Sequence, residues 1–369
     1  MDVIIQKSNH NLLLVTKTLQ VSPSGGREML CKLNHDALSD LYGDKFRLFE
    51  LSNRPVSGLR TLLSAFQGHI DGLVAETLQS ILVTVQNEKI SKIFVDGSNL
   101  GALVRAVKQE FPTIEISTFF HNVEARFFLG SLRQSKTPRA LAVMMANYTA
   151  ERMSVRYSDK LICLSERDSR LLKKIYGRAA THVSPIAIQD KLPSVLDLTV
   201  HTDRVKLALF VGGVFYANRA GITWFVKHVV PRINTKLCIV GRGFEDLRQE
   251  LEREGKVEVI GAVDSLAQWY LNAQFVIAPI FDGSGMKTKV AEALMFGKKV
   301  IGTPEAFSGY EEIADQAGWV CNSEDDFVVA IDQAKNAPSM SFEPALRAIY
   351  EEMYSFPAAR SRLAAIMES

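Results

Sequence analysis

The stretch FVIAPIFDGSGMKTKVAEALMFGKKVIGTPE, Phe275 to Glu305, carries one complete structural sentence. An apolar run, Phe275 to Ile280, ends in a loop with Gly283 and Gly285. A helical pattern follows, and a second apolar run, Lys299 to Gly302, closes the unit. Apolar runs of this length bounded by glycine read as strands buried on both faces. Strand, loop, helix and strand in succession form the repeating unit of a parallel sheet covered by helices.

Outward from this unit the same alternation runs in both directions. Further strands are expected at Lys206–Val211, Lys236–Val240, Val257–Ile260 and Trp319–Cys321 in the second half. In the first half they fall at Asn11–Thr16, Arg47–Leu51, Ile93–Asp96, Ile114–Phe120, Lys160–Ser165 and His182–Ile188. The segment from Gln189 to Arg204 has no convincing period and reads as a linker. The expected organisation is α/β, with two doubly wound Rossmann-like domains at residues 1–190 and 205–340. Residues 341–369 read as helices broken by Pro344 and Pro357 that pack back toward the first domain.

The bulk numbers agree with two ordinary globular domains: 369 residues, 47% hydrophobic and 23% charged. The N-terminus lacks a charged-then-apolar leader, and no apolar run approaches the length needed to cross a bilayer. Cys31, Cys163, Cys238 and Cys321 stand far apart, which gives disulfides and zinc little support and fits a reducing cytosol. The net charge of +2 conceals a belt from His121 to Ala180 with twelve Lys/Arg against five Asp/Glu. That belt reads equally as a solvated helix face or as an attractor for phosphates or an anionic membrane surface. Sparse aromatic interleaving argues against nucleic acid.

Ligands of parallel sheets sit beyond the carboxyl ends of the strands, so loops that follow strands matter most. In the quoted stretch, Gly283 and Gly285 let the amides of Ser284, Met286 and Lys287 turn toward an anion, while Lys287 and Lys289 add mobile positive charge. A diphosphate would fit there, and Glu292, farther along the helix, suits ribose hydroxyls. In FVGGVFYANRAG, Gly212 and Gly213 permit close approach, and Asn218 is placed to cap a helix. In VGRGFEDL, Gly241 and Gly243 could pass beneath a nucleoside, with Arg242 near a phosphate or solvated. In the first half, His121, Asn122 and Glu124 follow the strand ending at Phe120, and Gly25 and Gly26 open a long helix.

From Leu209 to about Gln333 the order of these pieces resembles the donor domain of the retaining glycosyltransferases of family 4, also called group 1. The resemblance implies a GT-B fold with the two domains facing a cleft, a nucleoside-diphosphate sugar as co-substrate, and neither cofactor nor metal. It implies donor contacts from Gly212, Gly213, Arg219, Gly241, Arg242, Gly243, Val263, Gly283, Ser284, Gly285, Met286, Lys287, Lys289 and Glu292. Acceptor contacts are implied for Gly25, Gly26, His121, Asn122 and Glu124, and catalytic roles for His121, Lys289 and Glu292. Glu292 matches the second glutamate of the family's E-x7-E motif, but Ser284 stands where the first is expected. Gly213 and Asn218 stand where the family carries Arg and Lys, a charge that Arg219, Lys287 and Lys289 can replace.

The activity so implied is metal-independent hexosyl transfer, with retention, to a glycan or lipid-linked acceptor, in cell-surface polysaccharide biosynthesis. The implied location is the cytoplasm, peripheral on the inner membrane face. A sugar-nucleotide 2-epimerase-like isomerase and a non-catalytic sugar-nucleotide-binding subunit remain as alternatives.

Overall fold

Each apolar run expected as a strand forms one in the computed structural model, which describes residues 10–21, 23, 25–52, 65–193, 207–336 and 342–369. The chain divides into two units, Met1–Ala187 with Phe356–Ser369, and Ile188–Ser355. Of the expected linker, residues 194–204 lie outside the described residues.

In the first unit the elements run β1 (Leu12–Lys17), α1 (Gly26–Tyr42), β2 (Phe46–Leu51), α2 (Ala75–Asn87), β3 (Lys92–Asp96), α3 (Gly101–Glu110) and β4 (Glu115–Phe120). They continue with α4 (Glu124–Ser135), α5 (Pro138–Tyr157), β5 (Lys160–Cys163), α6 (Glu166–Tyr176) and β6 (His182–Val183). The sheet is parallel throughout, in the order β2-β1-β3-β4-β5-β6. Leu12 to Val15 and Ile93 to Val95 are wholly buried, because a parallel sheet is covered on both faces. The last run is shorter than expected: pairing stops at Val183, and Pro185, two residues on, has no N–H to offer a ladder.

The second unit holds β7 (Leu207–Val211), α7 (Tyr216–His228), β8 (Lys236–Val240), α8 (Arg248–Leu251), β9 (Val257–Gly261), α9 (Ala267–Asn272) and β10 (Ala273–Ala278). After these come α10 (Thr288–Met295), β11 (Val300–Gly302), α11 (Ala314–Ala317), β12 (Gly318–Val320), α12 (Glu324–Asn336) and α13 (Pro344–Ile349). Its sheet is again parallel, in the order β12-β11-β10-β7-β8-β9.

The final helix, α14 (Phe356–Glu368), belongs to the first unit. Phe356 and Ala359 pack with Leu33 of α1 and Ala187. Lys92 donates to the Met367 carbonyl and Lys160 to that of Ile366 at 2.8 Å, so two ammonium groups sit at the negative end of this helix. Among the described residues no helix is long and apolar enough to cross a membrane.

The two strand orders decide where a ligand can sit. In the first sheet the order reverses between β1 and β3, and in the second between β7 and β10. At such a switch point the flanking helices leave in opposite directions and open a crevice beyond the strand ends. The glycine loops after β7 and β10 therefore share one crevice, as do the loops after β1 and β3.

Candidate functional site

The crevice of the second unit is built on backbone that leaves no room for a side chain at Gly212 and Gly241. A Cβ on Gly241 would lie 1.9 Å from the Gly212 carbonyl oxygen, so the loops after β7 and β8 touch directly. The Val214 amide donates to the Arg242 carbonyl at 2.9 Å and the Gly241 amide to that of Gly261 at 2.7 Å. Gly212, Gly213, Gly241 and Gly243 thus form one surface, and the last of these bonds brings in the end of β9, two residues before Val263.

Asn218 was expected to cap a helix, but α7 already begins at Tyr216 with Phe215 at the cap. Its side chain works across the crevice instead. Nδ2 donates to the Gly213 carbonyl at 2.8 Å, and Oδ1 accepts from Lys289 Nζ at 2.9 Å. The Lys289 ammonium also lies 4.4 Å from the centre of the Phe210 ring. Lys289 is accordingly no mobile surface charge: it is buried, and burial lowers its pKa to about 7. A Cβ on Gly212 would stand 2.6 Å from Asn218 Nδ2 and 3.4 Å from Lys289 Nζ, so glycine is what leaves this corner open.

Lys287 is also held. Its Nζ donates to the Gly285 carbonyl and to Glu305 Oε1, each at 2.9 Å, and its carbonyl accepts from Tyr310 at 2.8 Å. The Gly283 amide donates to Asp282 Oδ1 at 2.8 Å, and Met286 packs on Gly309. Lys287 ends the loop as the cap position of α10. Glu292, three residues beyond Lys289 on that helix, accepts from Tyr270 at 2.8 Å, and burial raises its pKa against that hydrogen bond. Tyr270 in turn stacks on Phe296 at 4.9 Å, which fixes the carboxylate from below.

Two of the expected cations behave differently. Arg219 pairs with Glu250 at 3.0 Å and is largely exposed, while Arg242 is exposed on the glycine surface. Glu305 was passed over in the sequence, yet its Oε1 would be 3.8 Å from a Cβ on Gly283, beside Ser284. Its signal was its position: it follows β11, next to β10 in the sheet.

The first unit carries a second polar cluster at its own switch point. Asp96, at the end of β3, accepts from His121 Nε2 at 2.8 Å, from Asn34 at 3.0 Å and from Thr16 at 3.0 Å. Burial opposes ionisation of Asp96, but the charge and hydrogen bond of His121, with further hydrogen bonds from Cys31 and Asn34, outweigh it and keep the group below its usual value. Cys31 Sγ stands 3.7 Å from His121 Nε2. Ligand atoms of Cys31, Asp96 and His121 lie within 4.8 Å of one another, close enough to hold a metal ion, although the Asp96 oxygens already accept these three hydrogen bonds.

Gly25 and Gly26 open α1, and the residue after them, Arg27, donates to Asp71 at 3.1 Å and Asn99 at 3.4 Å. Asn122 is half-buried between His121 and Val123. Glu124 opens α4 and is buried, which pushes its carboxyl up to about 7 against the pull of Arg27. The amides of Glu124 and Ala125 are taken by the Glu151 carboxylate at 2.9 and 3.1 Å. Sequence reasoning found His121 and Glu124 but missed Asp96, Arg27 and Glu151, which come from other elements.

Residues 205–336 match the family model described as Glycosyl transferases group 1. The chain resembles that family. The match covers the glycine surface, Lys289 and Glu292, while the first unit lies outside it. No curated protein matches the chain in sequence. Solved structures share its fold along nearly the whole length. Sucrose-phosphate synthase from Thermosynechococcus elongatus is similar at a TM-score of 0.73 and 15% identity, over 97% of this chain and 98% of that one. HepE from Anabaena, solved with UDP, is similar at 0.69 and 13%, over 97% and 99%. The lipopolysaccharide outer core galactosyltransferase WaaB is similar at 0.64 and 12%, over 97% and 99%. The fold is that of the GT-B glycosyltransferases.

Proposed function

We propose that the chain transfers a hexosyl group from a nucleoside-diphosphate sugar to a hydroxyl of a glycan or lipid-linked acceptor, with retention at the anomeric carbon. The observation that carries this reading is the Lys289–Asn218 contact at the β7/β10 switch point, beneath two glycine loops packed in direct contact. A buried ammonium hydrogen-bonded to a neutral side-chain amide is poised to gain from an arriving diphosphate. Amides at the start of α10 add to the same field. HepE, which shares the fold, was solved with UDP and with UDP-glucose.

In this reading the loops of Gly212, Gly213, Gly241 and Gly243 carry the diphosphate and nucleoside, with Arg242 and Val263 at their edge. Glu292 receives the ribose hydroxyls. Glu305, tied to Lys287, supplies the carboxylate that Ser284 does not. As the anomeric C–O bond to the diphosphate breaks, the acceptor oxygen forms the new bond on the same face. Its proton passes to the departing diphosphate oxygen. Lys289 and the loop amides stabilise the charge growing on that oxygen, so the scheme needs no metal ion. The acceptor is assigned to the first unit, at Gly25, Gly26, His121, Asn122 and Glu124, where His121 is oriented by Asp96.

Incubation with a panel of sugar nucleotides, with and without a membrane or glycan extract, tests the reading. Nucleoside diphosphate released only when acceptor is present supports transfer. A new sugar nucleotide formed without acceptor indicates an isomerase. Tight binding with no turnover of any donor indicates a binding subunit, and either result overturns the proposal.

A further inference from the structure

Between Glu124 and Glu151 the chain carries Arg126, Arg133, Lys136 and Arg139 and not one Asp or Glu. These residues form the hairpin of α4 and α5, turned at Lys136 in the left-handed region (φ 50°) and at Thr137, whose hydroxyl accepts from the Ala140 amide at 3.2 Å. With Pro138 at the first position of α5, the tip is a defined turn. Residues 133–139 are all exposed.

Leu141, Val143 and Met145 follow, with exposures of 47%, 38% and 43%. Leu141 and Met145, one turn apart, share a helix face, whereas Val143 lies on the other side. Apolar side chains are thus exposed on two sides of the first turns of α5. The later part of α5 is anchored: Ala150 and Met153 pack so closely on α3 that a Cβ on Gly101 would sit 1.9 Å from the Ala150 carbonyl oxygen.

We propose that this hairpin tip is a docking surface for an anionic lipid bilayer. Charge complementarity selects that occupant. Arg133, Lys136 and Arg139 have no carboxylate partner among the described residues, and clustered cations beside protruding apolar side chains suit an anionic headgroup layer with acyl chains beneath. The other end of α4 begins at Glu124, next to the His121 cluster. A helix of this length places the tip about 18 Å from that cluster along its axis. The consequence that a lipid-linked acceptor is presented to the cluster rests on the function proposed above; the docking itself does not.

Co-sedimentation of the full chain with phosphatidylcholine vesicles, with and without phosphatidylglycerol, tests this. Binding is expected only with phosphatidylglycerol, and added salt should weaken it. The R133Q/K136Q/R139Q variant should bind on the order of 100-fold more weakly, and L141S/M145S about 10-fold more weakly. Both changes lie on exposed side chains, so unchanged melting temperature and unchanged sugar-nucleotide binding are expected. Failure of the full chain to sediment, or equal sedimentation of the variants, overturns the proposal. So does a change in oligomeric state of L141S/M145S without vesicles, which would make the tip a contact between copies. Vesicle binding without any sugar-nucleotide binding would strike the proposed function and leave the docking surface standing.

Discussion

The Nζ of Lys289 and the Oδ1 of Asn218 lie 2.9 Å apart although the residues are 71 positions apart in the chain. That one contact joins the first turns of α7 and α10, the helices that follow β7 and β10, and shapes the electrostatics of the candidate donor site. Asn218→Asp should raise the pKa of Lys289 above its value of about 7, because a carboxylate favours the ammonium form. The high-pH limb of sugar-nucleotide binding should then move upward. Asn218→Ala should move it downward and weaken binding about 10-fold. A purely structural role for Asn218 would leave the position of that limb unchanged, and calorimetric titrations across pH read it directly.

Lys289→Ala should lower glycosyl transfer by a factor on the order of 100 or more, the usual effect of deleting one group that meets growing charge. An unchanged rate with a correctly folded variant would remove Lys289 from the diphosphate site.

Stability should respond to the same lysine with a definite sign. Its folded-state pKa of about 7 lies below the unfolded value near 10.5, so the unfolded chain holds more protons between those limits and stability rises with pH across them. The cost of burying the charge is complete below about pH 7. Lys289→Met should therefore stabilise the chain most at pH 6, on the order of 3 kcal/mol, and least near pH 10. Melting curves of both proteins over this range measure it.

Glu124 gives the opposite profile. Its carboxyl is raised from 4.5 to about 7, so the folded state holds the extra proton between those limits and stability falls as pH rises through them. Glu124→Gln should be more stable than the parent above pH 7, and the advantage should vanish toward pH 4.5. Identical pH profiles of melting temperature would refute this assignment.

Glu305→Gln should reduce turnover about 10-fold or more while leaving nucleoside diphosphate affinity within about 3-fold, since the carboxylate is assigned to the sugar and not to the phosphates. A parallel loss of both would place its role in holding Lys287.

Much of this molecule is determined by local sequence. The apolar runs at Leu12–Val15, Ile93–Val95 and Val276–Ala278 are strands of a parallel sheet because only a backbone covered on both faces demands continuous apolar character. Gly212 and Gly241 mark a candidate ligand loop in the same way, since close backbone approach requires the missing Cβ, and Gly283 and Gly285 mark another through positive φ values of 147° and 64°. What needed the tertiary structure is partnership. Asn218 looked like a helix cap and Lys289 like a solvated cation, because local rules describe a side chain against its own element. The strand order alone puts β7 beside β10, and with it the amide over the ammonium. Asp96 behind His121 and Glu305 beside Lys287 were hidden for the same reason. The desolvation that sets Lys289 and Glu124 near pH 7 belongs to the packed units, not to either residue's neighbours in sequence.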